Sequence, residues 1–242
     1  MLRPLIGLLA LASLPGCGGA SPQLAPAAPA SAQALGARGP TRALGGRGMS
    51  VEGLHGTLAA SDVREALAPR MSELTGCFAL RSMSFHHLGG QLRMSIRVSG
   101  AGGVVAAHPE DSTVGDREVE RCVRRVLATV RFPRTQGGGE ALVHWALSVE
   151  PASDARAPLT WDPDRVAHVV RRRGTQALAE CNAASSVQVT AYVSRRGRVI
   201  NVGAASSEGQ ADEVLDCVAR RVRAWRMPAP RGVTKVTFDL RA

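Results

Sequence analysis

The sequence predicts an α+β fold built twice: two tandem α-β-β-α-β domains, each a small antiparallel sheet with two helices on one face. Residues 92–133 align with residues 187–228 at a constant offset of 95, and 12 of the 42 positions are identical. Each copy also carries two cysteines, and the helical and strand periodicities follow in the same order. Such a duplication predicts two small domains of one fold and not one large enzyme.

The first copy opens with a helix that we expect Asp62 to cap, with Glu65 three residues later. Pro69 is expected to kink or divide this helix. A strand with one buried face follows, and its inward residues alternate along the chain: Leu92, Met94, Ile96, Val98. The glycine-rich loop 99–103 predicts a hairpin into a second strand.

The second helix of this copy starts near Asp116 and presents one apolar stripe, on which Cys122 lies. Its arginines are expected to point mostly into solvent: Arg117, Arg121, Arg124, Arg125. Glu120 is expected to pair with Arg124, four residues on. Pro133 stops the helix, and the last strand places three apolar residues on one face: Val143, Trp145, Leu147.

The second copy repeats this order, with Asp162 as a helix cap, Pro163 at the first helical position and Cys181 at the far end. Two strands, a helix that carries Cys217 and a final strand follow; the inward residues of that strand are Val236, Phe238, Leu240. We assign the first domain to residues 51–150 (repeat 1), a linker to 151–160, and the second domain to 161–242 (repeat 2).

The N-terminus reads as an export signal over residues 1–17, with Arg3 ahead of a short apolar run. Its end, Leu14-Pro15-Gly16-Cys17, resembles the lipobox of bacterial lipoproteins, which implies cleavage before Cys17 and lipid attachment to it. The alternative is an ordinary secretory signal cut nearby. Residues 18–50, rich in Ala, Gly and Pro, are predicted to be a disordered tether.

With Cys17 taken by lipid, four cysteines remain, and four cysteines allow three pairings. The matching positions in the two copies select one of them: Cys77 with Cys122, and Cys181 with Cys217. An oxidising periplasm permits both bonds. No Cys-x-x-Cys occurs, so a zinc site is not favoured.

The formal charge of +10 does not by itself predict nucleic-acid binding, because only eight aromatic residues are available to stack on bases. An alternative use of the charge is attraction to anionic lipid head groups or envelope polymers. No nucleophile, Walker or dinucleotide motif occurs, and the His86-His87 pair is weak as a metal site. Ser112 and Ser207 are interpreted as turn or cap residues. We predict no enzyme, cofactor, metal or small-molecule substrate.

A series of motifs in repeat 1 resembles the TonB-type C-terminal domain. It resembles more closely the AgmX/PglI C-terminal domain family of myxobacterial envelope proteins. The motifs are Cys77, the alternation from Gly90 to Val98, Gly103-Val104-Val105, Ser112, Val119 to Val123 with Cys122, and Phe132-Pro133. The likeness covers about 55–150 well and 161–240 more loosely, where Met227 stands in place of Phe132.

The resemblance implies a non-enzymatic module of the cell envelope that binds a partner protein or peptide by adding a strand to a sheet edge. Arg93 and Arg97, on the polar face of the first strand, are candidate partner contacts. TonB-like transducers have a transmembrane anchor and couple to a motor. This chain has a predicted lipid anchor instead, so motor coupling is not carried over. Gly18 after Cys17 favours the outer membrane, with a soluble periplasmic or secreted protein as the alternative.

Overall fold

The structure is a computed structural model and describes residues 55–151 and 157–241. The predicted signal, the tether and Cys17 lie outside the described residues. The described residues belong to one compact unit, Met49–Ala242. This unit is a mixed α+β structure with two small sheets.

Repeat 1 contains three helices and three strands, and one 3-10 turn (Ala68–Arg70) separates the first two helices. The elements are α1 (Ala60–Leu67), α2 (Met71–Ser82), β1 (Gly90–Val98), β2 (Val104–Ser112), α3 (Arg117–Leu127) and β3 (Ala141–Val149). Pro69 lies in that turn, so the predicted division of the helix is confirmed. Asp62 is not the cap, because Ala59 already holds the N-cap position and places Asp62 inside the first turn.

Repeat 2 follows the same order with one added strand at its start. Its elements are β4 (Leu159–Trp161), α4 (Ala167–Glu180), β5 (Val187–Val193), β6 (Val199–Ala205), α5 (Asp212–Arg223) and β7 (Thr234–Leu240). Asp162 caps a 3-10 turn that starts at Pro163, and α4 begins only after it. Leu159 and Thr160, assigned to the linker from the sequence, belong to β4.

The first sheet has the strand order β2-β1-β3, and the second has the order β4-β7-β5-β6. All pairs are antiparallel except β4 and β7, which are parallel. The prediction of three strands in each sheet is therefore wrong for repeat 2, because the segment ahead of α4 adds a fourth. In both sheets the first strand of the hairpin, β1 or β5, lies inside the sheet.

The repeated glycine in each hairpin has a clear structural cause. Gly102 and Gly197 both have positive φ, at 87° and 70°. Their carbonyl oxygens accept from the backbone N–H groups of Phe132 and Met227, each at 2.9 Å. A side chain at Gly102 would collide with the carbonyl oxygen of Phe132, and a side chain at Gly197 with that of Met227. The hairpin is thus tied to the chain that leaves the second helix, in the same way in both repeats.

Each repeat has its own cluster of buried apolar residues. In repeat 1 the inward residues of β1 pack with Leu74 and Phe78 of α2 and with Val119 and Val123 of α3. In repeat 2 the inward residues of the sheet pack on α4 and α5, with the rings of Trp225 and Phe238 stacked. A fully buried aliphatic side chain stabilises the fold by roughly 1.5–3 kcal/mol.

One disulfide ties the two long helices of each repeat together. Cys77 of α2 bonds to Cys122 of α3, and Cys181, at the end of α4, bonds to Cys217 of α5. These are the two predicted pairs. The bonded cysteines are 45 and 36 residues apart. Loops of this length correspond to about 4 kcal/mol per bond in the chain-entropy model.

Candidate functional site

The outer face of the second sheet, turned away from α4 and α5, is covered by repeat 1. Tyr192 and Thr190 of β5 are fully buried there. The Tyr192 hydroxyl donates to the carbonyl oxygen of Gly89 (3.3 Å), and the Thr190 hydroxyl donates to that of Ser112 (2.7 Å). The ring of Tyr192 also meets the ring of Phe85 edge-on at 4.8 Å. A face that strand alternation alone leaves to solvent is therefore an internal contact.

Lys235 of β7, the single lysine of the chain, lies at the same contact. Its ammonium donates to the carbonyl oxygens of Gly89 (3.1 Å) and Thr113 (3.2 Å). Burial lowers the pKa of Lys235 and raises the pKa of the Tyr192 hydroxyl. These two polar side chains hold the loops of repeat 1 against the sheet of repeat 2.

A buried charged cluster at the start of α3 forms a second contact between the repeats. Arg117 is 8% exposed and pairs with Glu120 (3.0 Å), Asp212 (3.2 Å) and Asp216 (3.0 Å). Glu120 is fully buried and accepts from the Ser112 hydroxyl at 2.6 Å. The prediction that Arg117 points into solvent is wrong, because the first turn of α3 packs on β6 and α5.

The same packing decides two further predictions about these side chains. Glu120 does not pair with Arg124, which instead pairs with Asp212 of α5 at 2.5 Å. Ser112 does not cap α3, but it is a turn residue as predicted, because its hydroxyl accepts from the Val114 N–H (3.4 Å) while it donates to Glu120. Ser207 lies in a turn, as predicted.

The facing helices α3 and α5 are equivalent elements of the two repeats and carry opposite charges at equivalent positions. At the offset of 95, Arg117 corresponds to Asp212 and Arg121 corresponds to Asp216. The structure joins both of these pairs, the second at 2.8 Å. The alignment of the copies contains this signal, since an exchange of charge sign at matched positions indicates complementary surfaces.

Burial raises the pKa of Glu120 above its ordinary value, although Arg117 and Ser112 act in the opposite direction. For Arg117, burial alone would lower the pKa, but the carboxylates of Glu120 and Asp216 outweigh it and the pKa is raised. Each group therefore depends on the other, since either one left alone would be a buried charge without a partner.

Asp116 joins the cap of α3 to both repeats. Its carboxylate accepts from the Val119 N–H (3.0 Å), which confirms the predicted helix start. It also accepts from Arg81 of α2 (2.9 Å) and from the Asn201 side-chain amide of β6 (2.7 Å). The residue near which the sequence predicts the helix to start is thus also a contact between the repeats, which the sequence does not indicate.

The edge of β6 is closed by this cluster. The N–H of Ala204 donates to the Glu120 carboxylate (3.0 Å), and its carbonyl oxygen accepts from Arg117 (3.3 Å). The next outward N–H, of Ser206, donates to the carbonyl oxygen of Pro109 in β2 (2.9 Å). The edges of β2 and β6 therefore face each other at Pro109 and Ser206.

The edge of β3 is different. At the two ends of β1, the backbone groups of Gln91 and Ser99 form hydrogen bonds on the β2 side. Successive residues of a strand direct their N–H and C=O groups to opposite sides, so the residues between them in the alternation, such as Met94, bond to β3. In β3 the residues opposite these direct their backbone N–H and C=O groups toward β1. The residues between them direct those groups outward, to the free side of the strand: Leu142, His144, Ala146, Ser148. Within the described part of the chain, the N–H and C=O groups of these four residues have no hydrogen-bond partner.

β3 also lacks the features that usually protect an edge strand. It contains no proline and no Lys, Arg, Asp or Glu, and its nine pairs with β1 run without a register shift. Leu142 on its outer face is 47% exposed. By contrast, β2 carries Pro109 beside an irregularity in its register, and β4 is three residues long. β3 is the long edge that a strand can pair with.

The predicted partner contacts lie one row in from this edge. Arg93 and Arg97 are on the outer face of β1, about half exposed, opposite Ala146 and Leu142 of β3. Arg93 lies 3.7 Å from the Glu110 carboxylate, and Arg97 lies 3.5 Å from that of Glu140. A strand bound to β3 would lie beside these two arginines.

The described residues contain no cluster of three or more His, Cys, Asp or Glu side chains arranged to hold a metal ion. The ring of His87 lies 5.8 Å from that of Phe85, and His144 Nδ1 lies 2.6 Å from a Glu110 carboxylate oxygen. Among the helices described over 55–151 and 157–241, none combines the length and hydropathy needed to span a membrane.

No protein-family model matches this chain, and neither does any curated protein or solved structure. The TonB-like resemblance stays a prediction that rests on the motifs of the sequence.

Proposed function

We propose that this protein is a non-enzymatic lipoprotein of the cell envelope that binds another envelope protein or peptide by adding an extended strand to β3. The observation that carries the proposal is the β3 edge, with four outward-facing residues whose backbone groups have no partner among the described residues. Strand addition draws its affinity from such main-chain groups, so it needs few special side chains. The proposal includes lipid attachment at Cys17, in the outer membrane and facing the periplasm.

The side chains around the edge favour a peptide over a small molecule. The outer face of β3 presents Leu142, Ala146 and Ser148, which offer a shallow surface. Arg93 and Arg97 flank this surface with positive charge. An extended segment with small or apolar residues and a nearby acidic side chain fits it. The resemblance to TonB-like domains of the AgmX/PglI type supports the same mode of binding.

The experiment is a titration of the isotope-labelled protein with short extended peptides taken from exported proteins of its native host. We expect amide resonance changes at the four outward residues of β3, and changes confined to the helices would reject strand addition. Ala146→Pro removes one outward N–H and should weaken binding by about tenfold, since an edge hydrogen bond and the strand next to it are lost. Ala146→Ser keeps the N–H and serves as the matched control.

A second candidate is binding to an anionic envelope polymer or membrane surface through arginine. The observation that favours it is a groove of about 390 Å³ between α4 and α5, lined by Arg172, Arg173 and Arg221. Exposed charges of this kind are screened by salt. Binding that is lost between low and moderate salt, and that Ala146→Pro leaves unchanged, would favour the polymer over strand addition.

A further inference from the structure

A cavity of about 470 Å³ lies beside the start of β4 and is lined by residues of both repeats. The apolar part of its lining includes Leu159 of β4 and Val233 of the loop that leads into β7. Leu159 is 52% exposed, an unusual state for a leucine within a strand. Cavities that bind small molecules have volumes of about 300–1,000 Å³ and are mostly apolar. The volume and the apolar lining are therefore those of a ligand site.

The polar part of the lining is positively charged. Arg195 comes from the turn between β5 and β6, and Arg231 comes from the loop ahead of β7. His87 is brought in from repeat 1 on the loop that carries Phe85, whose ring meets Tyr192 of β5 at 4.8 Å. The lining residues that the structure describes include no Asp or Glu. The cavity thus combines an apolar surface with donors that suit an anion.

The two arginines are available to a ligand. Both are exposed, and neither forms an ion pair with any described residue. A guanidinium presents its N–H donors in a planar fork, which matches the two oxygens of a carboxylate. An organic anion that enters this cavity can therefore be held by Arg195 and Arg231 without the loss of an existing ion pair.

Hydrogen bonds of the backbone fix the segments that carry these side chains. The Ser194 N–H donates to the carbonyl oxygen of Arg198 (2.8 Å) and closes the turn that holds Arg195. The Leu159 N–H donates to the carbonyl oxygen of Val233 (2.9 Å) and joins β4 to the loop ahead of β7. The two sides of the cavity are therefore parts of the second sheet, and their separation is set by its strand pairing.

The comparison of the repeats supports a special use of this cavity. β4 has no counterpart among the described residues of repeat 1, and it supplies Leu159. At the offset of 95, Arg195 corresponds to Gly100, so the hairpin of repeat 1 has no side chain at the same position. Two features that distinguish repeat 2 from repeat 1 thus line the same cavity.

We propose that this cavity binds a small organic anion with an apolar tail, of the class of an aliphatic carboxylate. The tail lies against Leu159 and Val233 and removes their exposed surface from water. The carboxylate accepts hydrogen bonds from Arg195 and Arg231. This site goes beyond the proposed function and does not depend on it, because no residue of β3 lines the cavity.

One consequence concerns how the repeats pack. Because the lining includes His87 of repeat 1 and four residues or more of repeat 2, a bound ligand contacts both. A ligand that binds only the folded protein stabilises it in proportion to the logarithm of its concentration once the site is filled. The thermal midpoint should therefore rise with ligand concentration.

The test is a titration of the isotope-labelled full chain with octanoate, below the concentration at which octanoate forms micelles and at constant ionic strength. We expect amide resonance changes centred on Leu159, Gly232 and Val233. Acetate supplies the charge without the tail, and 1-octanol supplies the tail without the charge. Each should bind at least about tenfold more weakly than octanoate. Octanoate that binds no more tightly than either of them overturns the inference.

Substitutions separate this site from general attraction to a positive surface. Arg231→Gln and Arg195→Gln should each weaken octanoate binding by about tenfold, since each removes a charged hydrogen-bond donor. Arg196→Gln is the matched control, because Arg196 is the next residue of the same exposed turn and does not line the cavity. Equal losses in Arg195→Gln and Arg196→Gln overturn the site.

A second pair of variants tests the apolar side. Leu159→Ala should weaken octanoate binding by about threefold or more, and Leu142→Ala, at a leucine of similar exposure in β3, should leave it unchanged. The variant Ala146→Pro should also leave octanoate binding unchanged, and a loss there would place the octanoate site at β3 and overturn the inference. Envelope peptides that bind β3 in a chain that octanoate does not bind would reject this site and leave the proposed function intact.

Discussion

The strands β6 and β3 both lie at a sheet edge, where backbone groups lack a neighbouring strand, but the two edges differ in what their backbone groups contact. At β6 the groups of Ala204 are satisfied by Glu120 and Arg117, two buried charged side chains from the other repeat. At β3 the backbone N–H and C=O groups of four residues have no hydrogen-bond partner within the described residues, and the strand contains no Lys, Arg, Asp or Glu. An edge closed by buried charge joins the repeats, and an uncharged edge remains where another strand can bind.

The charged cluster at β6 is better understood as a device for specificity than as a source of stability. A buried ion pair loses hydration on both partners, and its net contribution is often close to zero. Removing one partner is far more costly, because it leaves the other as an uncompensated charge. The cluster thus fixes how the repeats fit together more firmly than it stabilises either of them.

The largest effect that tests this comparison is expected from Arg117→Leu. The change leaves Glu120 buried without its cation and removes two contacts to α5. We expect the free energy of unfolding to fall by about 3–5 kcal/mol, measured by urea denaturation. The control is Arg125→Leu, the same change at an exposed position of the same helix, with an expected effect within about 0.5 kcal/mol. Similar losses in both variants would show that the β6 edge does not depend on the cluster.

A smaller effect is expected from Gly203→Ala, which tests how closely the repeats approach at β6. A β-carbon at Gly203 would collide with the Glu120 carboxylate and crowd the backbone nitrogen of Asp116. Overpacking of this kind costs about 1–3 kcal/mol. Gly76→Ala is the matched control, because a β-carbon there meets no atom and alanine favours the helix by up to about 1 kcal/mol. The two alanines should therefore move the thermal midpoint in opposite directions, and a neutral Gly203→Ala would mean that the contact is looser than described.

The smallest effect concerns pH at His108 of β2, which lies against Gly209 of repeat 2. Burial lowers the pKa of His108; Glu110 opposes this, while His144 and Arg97 add to it. A histidine whose pKa is lowered in the folded state contributes stability that is complete above its unfolded pKa of about 6.5 and is lost as pH falls through the folded pKa.

Urea midpoints measured at about pH 7 and about pH 5 should therefore fall further in the wild type than in His108→Gln. His144→Gln, at an exposed site of the same face, is the control. An identical fall in wild type and His108→Gln would show that the contact between β2 and repeat 2 does not sense protonation at this site.

Local features of the sequence predicted the elements of each repeat well. The hairpin at Gly102, the division of the helix at Pro69 and the helix start near Asp116 depend on residues close in the chain, and all three are found. The duplication selected the two disulfide pairs. β4 was missed because three residues give no periodicity, and its pairing with β7 is distant in sequence. Arg117 was assigned to solvent, and Glu120 to a pair with Arg124, because helix periodicity shows only the side turned to a helix's own core.

The sequence by itself determined the unit: its order of helices and strands, its inward residues and the cysteines that join its helices, because each follows from local spacing and from the comparison of two copies. The tertiary structure alone decided which polar surfaces are internal and which sheet edge has no partner among the described residues. That outcome depends on how the two repeats pack. Their contact is made by Tyr192, Lys235 and Arg117, polar residues whose burial no local pattern specifies.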